Sequence, residues 1–312
     1  MGLPGARRLL DGQHDGAALN TDQPANEALS AVLELLRLER TGHDRCTGSS
    51  LNHLTGRIYG GQVLAQSLVA AAATVSDAGL PAERLPHSVH GYFLRPGKLD
   101  RPIIFDIERL RDGGSFSARR THALQDGEPI LTMTTSFQER QDGLEHAQEP
   151  PEVPGPEDLE SSAELFASSD HPAARFYSRM GAFDIRHVEG SIYVPRGRSP
   201  LSRQALWMRS HGPVDGDQLT HRALLAYACD QVMLEPVLRR HEISWITPEL
   251  SVASLDHAMW WHRDVHVDDW LLYVQDSPSS QGGRGLGIAK IYSRAGDLVA
   301  TVAQEGMIRL PR

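Results

Sequence analysis

The sequence predicts an α+β chain built twice over: two tandem units, each an antiparallel sheet curled around one central helix. Three observations carry that reading. Residues 62–75 form a helical segment apolar or Ala on nearly every side, which places it inside a core rather than on a surface, and residues 220–238 form a second apolar helix. Each is followed by strand-like runs separated by Gly, Pro, Asp and Asn turn signals. The two series can also be laid on one another block by block. A helix that is apolar all round has to be covered on every side, so the sheet following it must curl about it.

Taken in order, residues 1–25 are rich in Gly, Asp, Asn and Gln without periodicity, and predict a disordered tail. The first unit is predicted over 26–140. It opens with a helix at 26–38 carrying Leu29, Val32, Leu33, Leu35 and Leu36. A glycine-containing turn over 55–61 leads into the helix at 62–75. Strands follow at 88–94, 102–111, 115–124 and 129–138, the last two joined by the hairpin signal Asp126-Gly127. Residues 141–200, with Pro150, Pro151, Pro154 and Pro156 followed by acids and serines, predict a linker that holds a short strand near 183–188. The second unit is predicted over 201–312. Its elements are a strand at 204–209, the helix at 220–238, and strands at 249–261, 270–275, 285–293 and 298–308.

The duplication is explicit in the residues. Val63-Leu-Ala-Gln-Ser-Leu-Val69 aligns with Leu224-Leu-Ala-Tyr-Ala-Cys-Asp230, and His87-Ser-Val-His90 with Ser254-Leu-Asp-His257. The hairpin Asp126-Gly127 to Thr135 aligns with Ala295-Gly296 to Gln304. The offsets are 161, 167 and 169 residues, the slow drift that loop insertions produce. One helix wrapped by an antiparallel sheet, twice in one chain, is a double hotdog.

Composition narrows the function classes. With 31 Lys+Arg against 40 Asp+Glu the chain carries a net charge of −9 over 312 residues, which argues against a general nucleic-acid binder. Two cysteines, Cys46 and Cys229, are too few for a disulfide scaffold or a four-cysteine zinc site and suit a reducing, cytoplasmic setting. The most apolar run, 63–75, is short and interrupted by Gln66 and Ser67, so no membrane partner is expected.

Several blocks resemble the acyl-CoA thioesterase II family. They are Tyr59-Gly-Gly-Gln-Val63, the run from His87 to Gly97, the run from Leu110 to Arg120, the run from Ser254 to Arg263, Asp269 to Tyr273, and Gln304-Glu-Gly306. Together they extend over both units from about residue 30 onward. The resemblance implies hydrolysis of acyl-CoA to a free acid and CoA, no metal or organic cofactor, and a site made of Asp230, Ser254 and Gln304 holding one water. Cys229 stands where the family more often has Ser, and Ser254 where many members have Thr; Ser keeps the hydroxyl and loses the methyl that restricts its rotamer.

The residues point the same way independently. Asp230 is a carboxylate in an apolar helix, costly unless hydrogen-bonded, and its counterpart in the first unit is Val69. Only one of the two equivalent positions is charged, the pattern of one active site per chain. A carboxylate can orient a water and take its proton, a hydroxyl and an amide can fix that water's other bonds, and backbone N–H groups at a helix start can receive an oxyanion. Gly60 and Gly61 are the candidate oxyanion donors. The rival reading makes Asp230 a helix-end acid turned to solvent. Asp256 shares a strand face with Ser254, as a second site residue or as a carboxylate bonded to a neighbouring strand. His257 aligned with His90 suggests a structural role common to both units.

Other signals are weaker. Arg95, Arg111 and Arg284, with Arg119 and Arg120, are candidate contacts for CoA, as is Ser115, which lacks the setting of a nucleophile elbow. Residues 282–287 resemble a phosphate loop but lead into a strand rather than a helix. His262 and His266 are spaced four apart in a strand end and loop, a poor metal site. The rivals to hydrolysis are an enoyl-CoA hydratase, which would pair Asp230 with a histidine, and a non-catalytic acyl-CoA binding protein. Uncovered outer sheet faces lead to the expectation of a homo-oligomer.

Overall fold

In the computed structural model, which describes residues 25–53, 55–80, 83–167, 181–193 and 200–310, the predicted wrapping is seen in both halves. The first half comprises helix α1 (Ala25–Leu35), strands β1 (Glu39–Gly42) and β2 (Arg45–Gly48), helix α2 (Gly60–Ser76), and strands β3 (Arg84–Phe93), β4 (Ile103–Asp112), β5 (Phe116–Gln125) and β6 (Glu128–Glu139). Helix α3 (Ser162–Ala167) and strand β7 (Phe183–His187) follow. The second half continues with β8 (Arg203–Ser210), helices α4 (Gln218–Val232) and α5 (Glu235–Arg240), and β9 (Ser251–Ser254), β10 (Asp256–Trp261), β11 (Leu271–Gln281), β12 (Arg284–Ser293) and β13 (Leu298–Arg309).

All described strands belong to one sheet, ordered β1-β2-β4-β5-β6-β3-β10-β13-β12-β11-β8-β7, with β9 beside β13. The halves meet edge to edge where β3 pairs antiparallel with β10, Met259 opposite Val89 and Ala258 opposite His90. This removes one free edge from each half. Helix α2 is buried from Gly61 to Val75 almost without interruption, and one continuous core cluster takes in Leu64 and Leu68 of α2, Leu224 and Leu225 of α4, Val89 of β3 and Met259 of β10. The two central helices pack on each other closely. A Cβ at Gly61 would lie 2.3 Å from the Tyr227 carbonyl oxygen, so only glycine permits this crossing.

Four details differ from the sequence reading. Strands β1 and β2 were not foreseen, because β1 is exposed at all four positions and shows no alternation. The helix expected over 220–238 divides into α4 and α5. Pro236 in the first turn of α5 has no N–H to continue a helix, and the Met233 carbonyl is held against β12, where a Cβ at Gly287 would approach it to 1.9 Å. The strand expected over 249–261 breaks at Leu255, whose N–H bonds Glu305 O. The span read as a linker is partly built into the second half: β7 extends the sheet beyond β8, Val153 and Leu159 pack on the cluster of Trp207, Trp270, Leu272 and Tyr292, and Trp207 Nε1 donates to Pro154 O. Residues 1–24 of the expected tail lie outside the described residues. Residues 282–283, with φ of +63° and +75°, form the tight turn between β11 and β12.

Strand pairing also corrects the internal alignment by one residue. Met133 of β6 pairs with Gly91 of β3, and Val302 of β13, its counterpart at offset 169, pairs with Met259 of β10. The β3-to-β10 offset is therefore 259 − 91 = 168, not 167. The break at Leu255 then coincides with the register shift between Pro86 and Ser88. A one-residue slip moves every side chain to the opposite face. His90, exposed and edge-on to the Trp260 ring at 5.1 Å, thus corresponds to Ala258, and buried His257 corresponds to Val89. The histidines are not equivalents, and a structural role shared between them falls away.

Candidate active site

Asp230 sits in the last turn of α4, half-buried, and faces the first turn of α2 from the other half. Its Oδ1 accepts from Ser254 Oγ at 2.8 Å and from Gln304 Nε2 at 2.8 Å, and its Oδ2 accepts from the Gly61 N–H at 2.9 Å. Gln304 Nε2 also lies 3.0 Å from Ser254 Oγ. The carboxylate, the hydroxyl and the amide that the sequence singled out are thus one hydrogen-bonded cluster. The reading of Asp230 as an acid turned to solvent does not hold.

Each element places its residue for a local reason. Ser254 is the last residue of β9, opposite Gly306 of β13 and next to the strand irregularity at Leu255, and its hydroxyl reaches Asp230 on α4. Gln304 lies on the inward face of β13, fully buried, between buried Val302 and Gly306. Gly60 and Gly61 begin α2, where backbone N–H groups have no helical partner and the helix dipole favours an anion. A Cβ at Gly60 would lie 2.7 Å from Asp230 Oδ2. Gly61 differs from expectation in its use: its N–H holds Asp230 and is not turned to an open oxyanion position.

Around this cluster the structure adds residues that sequence reasoning missed or undervalued. His257 Nδ1 is 2.6 Å from Gln304 Oε1. Tyr59 directly precedes α2 and donates its hydroxyl to Tyr227 O at 2.7 Å, tying the two central helices together. His53 stacks on the Tyr59 ring, and burial holds its imidazole below the usual histidine range, opposed by the charge of Asp230. Tyr59 lay inside a quoted motif. His257 could have been found from strand parity, two positions along β10 from the buried Met259.

Other candidates are placed elsewhere. Asp256 Oδ1 accepts the Glu305 N–H at 2.8 Å and serves the sheet. Arg95 pairs with Glu128 and donates to Pro129 O at the β5–β6 hairpin. Arg284 pairs with Glu305, Arg120 with Glu108, and Ser115 accepts from Gln141, all away from the Asp230 bonds. Arg111 is exposed beside Gly113 at the β4–β5 turn. Arg119 is fully buried, bonded to Asp112 and Thr74, and supports the first core rather than a ligand.

Among the described residues, His221, His266 and Asp268 bring ligand atoms within 4.8 Å of one another. Two of those groups already have partners: His221 Nδ1 accepts the Val267 N–H, and Asp268 Oδ2 accepts the Val214 N–H. Both cysteines are free and buried, and burial pushes the Cys229 thiol far up, so it is no nucleophile. No described helix is long and apolar enough to cross a membrane.

Comparison with known proteins agrees with this architecture. The family model described as the acyl-CoA thioesterase N-terminal domain matches residues 49–138, and the acyl-CoA thioesterase C-terminal domain matches 147–308. The chain is 33% identical to acyl-CoA thioesterase 2 of Haemophilus influenzae, covering 91% of this chain and 99% of that one. It is 34% identical to the human acyl-coenzyme A thioesterase 8, covering 96% and 95%. The crystal structure of the acyl-CoA thioesterase II TesB2 from Mycobacterium marinum superposes with a TM-score of 0.74 at 39% identity, over 90% of this chain and 98% of that one. The chain belongs to the acyl-CoA thioesterase II family and is a thioester hydrolase of the double-hotdog fold.

Proposed function

We propose that this chain hydrolyses acyl-CoA thioesters at the Asp230 cluster, with Asp230 as the general base and Ser254 and Gln304 as the groups that position the water. The observation carrying this is the convergence of one carboxylate, one hydroxyl and one amide at the N-terminus of a helix from the other half. Asp230 takes a proton from water as the oxygen adds to the thioester carbonyl carbon. The tetrahedral intermediate collapses with cleavage of the C–S bond, and the proton held by Asp230 passes to the departing CoA sulfur. Thioester carbonyls are electrophilic enough for a positioned water to suffice, so no covalent enzyme intermediate is needed. The Gly60 N–H in the first turn of α2 is the proposed oxyanion donor, Gly61 being committed to Asp230.

Hydration of an enoyl thioester would pair Asp230 with a histidine, either His53, which feels the Asp230 charge, or His257. His257 Nδ1 faces Gln304, and its Nε2 is enclosed by protein, so it offers no second acid–base group to a substrate. The test is free-CoA release from an acyl-CoA panel of increasing chain length, for wild type beside Asp230→Asn. The variant should fold normally and lose about 10³-fold in kcat. Undiminished turnover in Asp230→Asn would remove Asp230 from the reaction, and hydration of crotonyl-CoA without CoA release would replace hydrolysis altogether.

A further inference from the structure

We propose that His257 is a positioning residue: its Nδ1–H locks the Gln304 carboxamide in the one orientation that points the amide nitrogen at Asp230 and Ser254. The inference rests on the reading of the Asp230 cluster as the hydrolytic site.

A carboxamide has two faces that differ only in which end donates. Gln304 Nε2 must face Asp230 Oδ1, since an oxygen there would confront a carboxylate. That turns Oε1 to His257 Nδ1, 2.6 Å away, and an acceptor at that distance requires Nδ1 to carry the proton. Burial holds the imidazole below the usual histidine range, against the pull of its bond to Gln304 and of Asp230 and Asp256, so the ring is neutral near pH 7 with one proton, on Nδ1.

Two independent observations say that the fold itself does not need this histidine. The equivalent position in the first half is Val89, which fills the same place opposite Thr135 with no hydrogen bond of its side chain. His257 Nε2, moreover, is buried and has no hydrogen-bond partner among the described residues. A buried polar atom without a partner is destabilising, and a valine would avoid it. What the imidazole adds over valine is one N–H, and that N–H goes to Gln304. Gly91 opposite His257 on β3 carries no side chain that could substitute for it.

The test is a double-mutant cycle read by kcat and KM. His257→Val should keep a cooperative urea transition and lose about tenfold in kcat while KM moves less than threefold, because the substrate does not touch the ring. His257→Asn, whose side-chain N–H overlays Nδ1, should recover most of the loss. In a Gln304→Ala background, His257→Val should bring no further loss, since the amide on which it acts is gone. Should His257→Val fail to fold, the imidazole Nδ1–H proton signal of wild type and of Gln304→Ala decides: a position unchanged by loss of Gln304 overturns the proposal. So does a full additive loss in the double variant, or wild-type kcat in His257→Val beside an inactive Asp230→Asn. Retained hydrolysis in Asp230→Asn would instead overturn the site reading on which this rests.

Discussion

The two halves of this chain put the same fold to different uses. In the second half, Asp230, Ser254, His257 and Gln304 form a polar cluster; at the corresponding positions the first half has Val69, Pro86, Val89 and Thr135. The backbone registers agree at each strand position, Pro86 opposite Phe137 as Ser254 is opposite Gly306. Hydrophobic burial and sheet pairing are therefore satisfied by either set, and four side chains on one side only add a hydrogen-bonded polar cluster. The first half is not idle, because its helix α2 supplies the Gly61 N–H that orients Asp230. The lesson is that a duplicated scaffold can divide a site asymmetrically: one half carries the proposed reacting groups and the other presents a helix terminus to them.

The comparison can be broken most severely at the helix crossing. Gly61→Ala would place a methyl 2.3 Å from Tyr227 O and 2.6 Å from the Tyr59 ring, where backbone cannot yield cheaply. The helices must separate, which moves the Gly61 N–H from Asp230. Loss of about 10²-fold in kcat and about 2 kcal/mol in stability is expected, measured by CoA release and urea unfolding. Wild-type turnover in that variant would mean that the first half contributes nothing to the site. A smaller effect is expected from Val69→Asp, which gives the first half a carboxylate without the hydroxyl and amide that receive it. Val69 packs against the common core, so an unpaired carboxylate there should lower stability by about 2 kcal/mol and leave kcat within twofold of wild type.

Acid should separate the halves more gently. Burial lowers His53 and His87 in the first half, and His211, His221 and His257 in the second, from the usual 6.5. Each such group binds a proton at higher pH in the unfolded chain than in the folded one, so its contribution is fully present above about pH 6.5 and declines as pH falls. The urea midpoint should drop between pH 7 and pH 5, and amide exchange at pH 5 should rise sooner in α4 and β10, which hold buried His221 and His257, than in α2, which holds no histidine. Equal protection of these elements would show that acid lability is not concentrated where the buried histidines are.

Much of this was legible in the sequence because it is written in patterns of burial. A helix apolar on all sides, the Asp126-Gly127 turn and the repeat of blocks pointed to the double hotdog, and the family resemblance together with a lone carboxylate in an apolar helix pointed to Asp230. The remainder depended on facts that a linear alignment cannot carry. His257 and His90 share a letter but not a face, and only strand pairing separates them. Strand β1 is polar and exposed throughout, and so has no periodicity to read. The arginines proposed for CoA were chosen by charge alone, whereas Arg119 turned out to be a buried structural ion that needs Asp112 as its partner.

The smallest expected effect is at Thr135, the counterpart of Gln304. Both are fully buried on the inner face of the sheet, but among the described residues Thr135 Oγ1 has no hydrogen-bond partner and Gln304 has three. A buried hydroxyl that bonds to nothing keeps its desolvation penalty without return. Thr135→Val preserves shape and β-branching and removes that hydroxyl, so stability should hold or rise by up to about 1 kcal/mol, with kcat unchanged. Destabilisation by Thr135→Val would reveal a hydroxyl that the first half uses after all. It would also weaken the view that the first-half counterparts of the polar cluster serve packing alone.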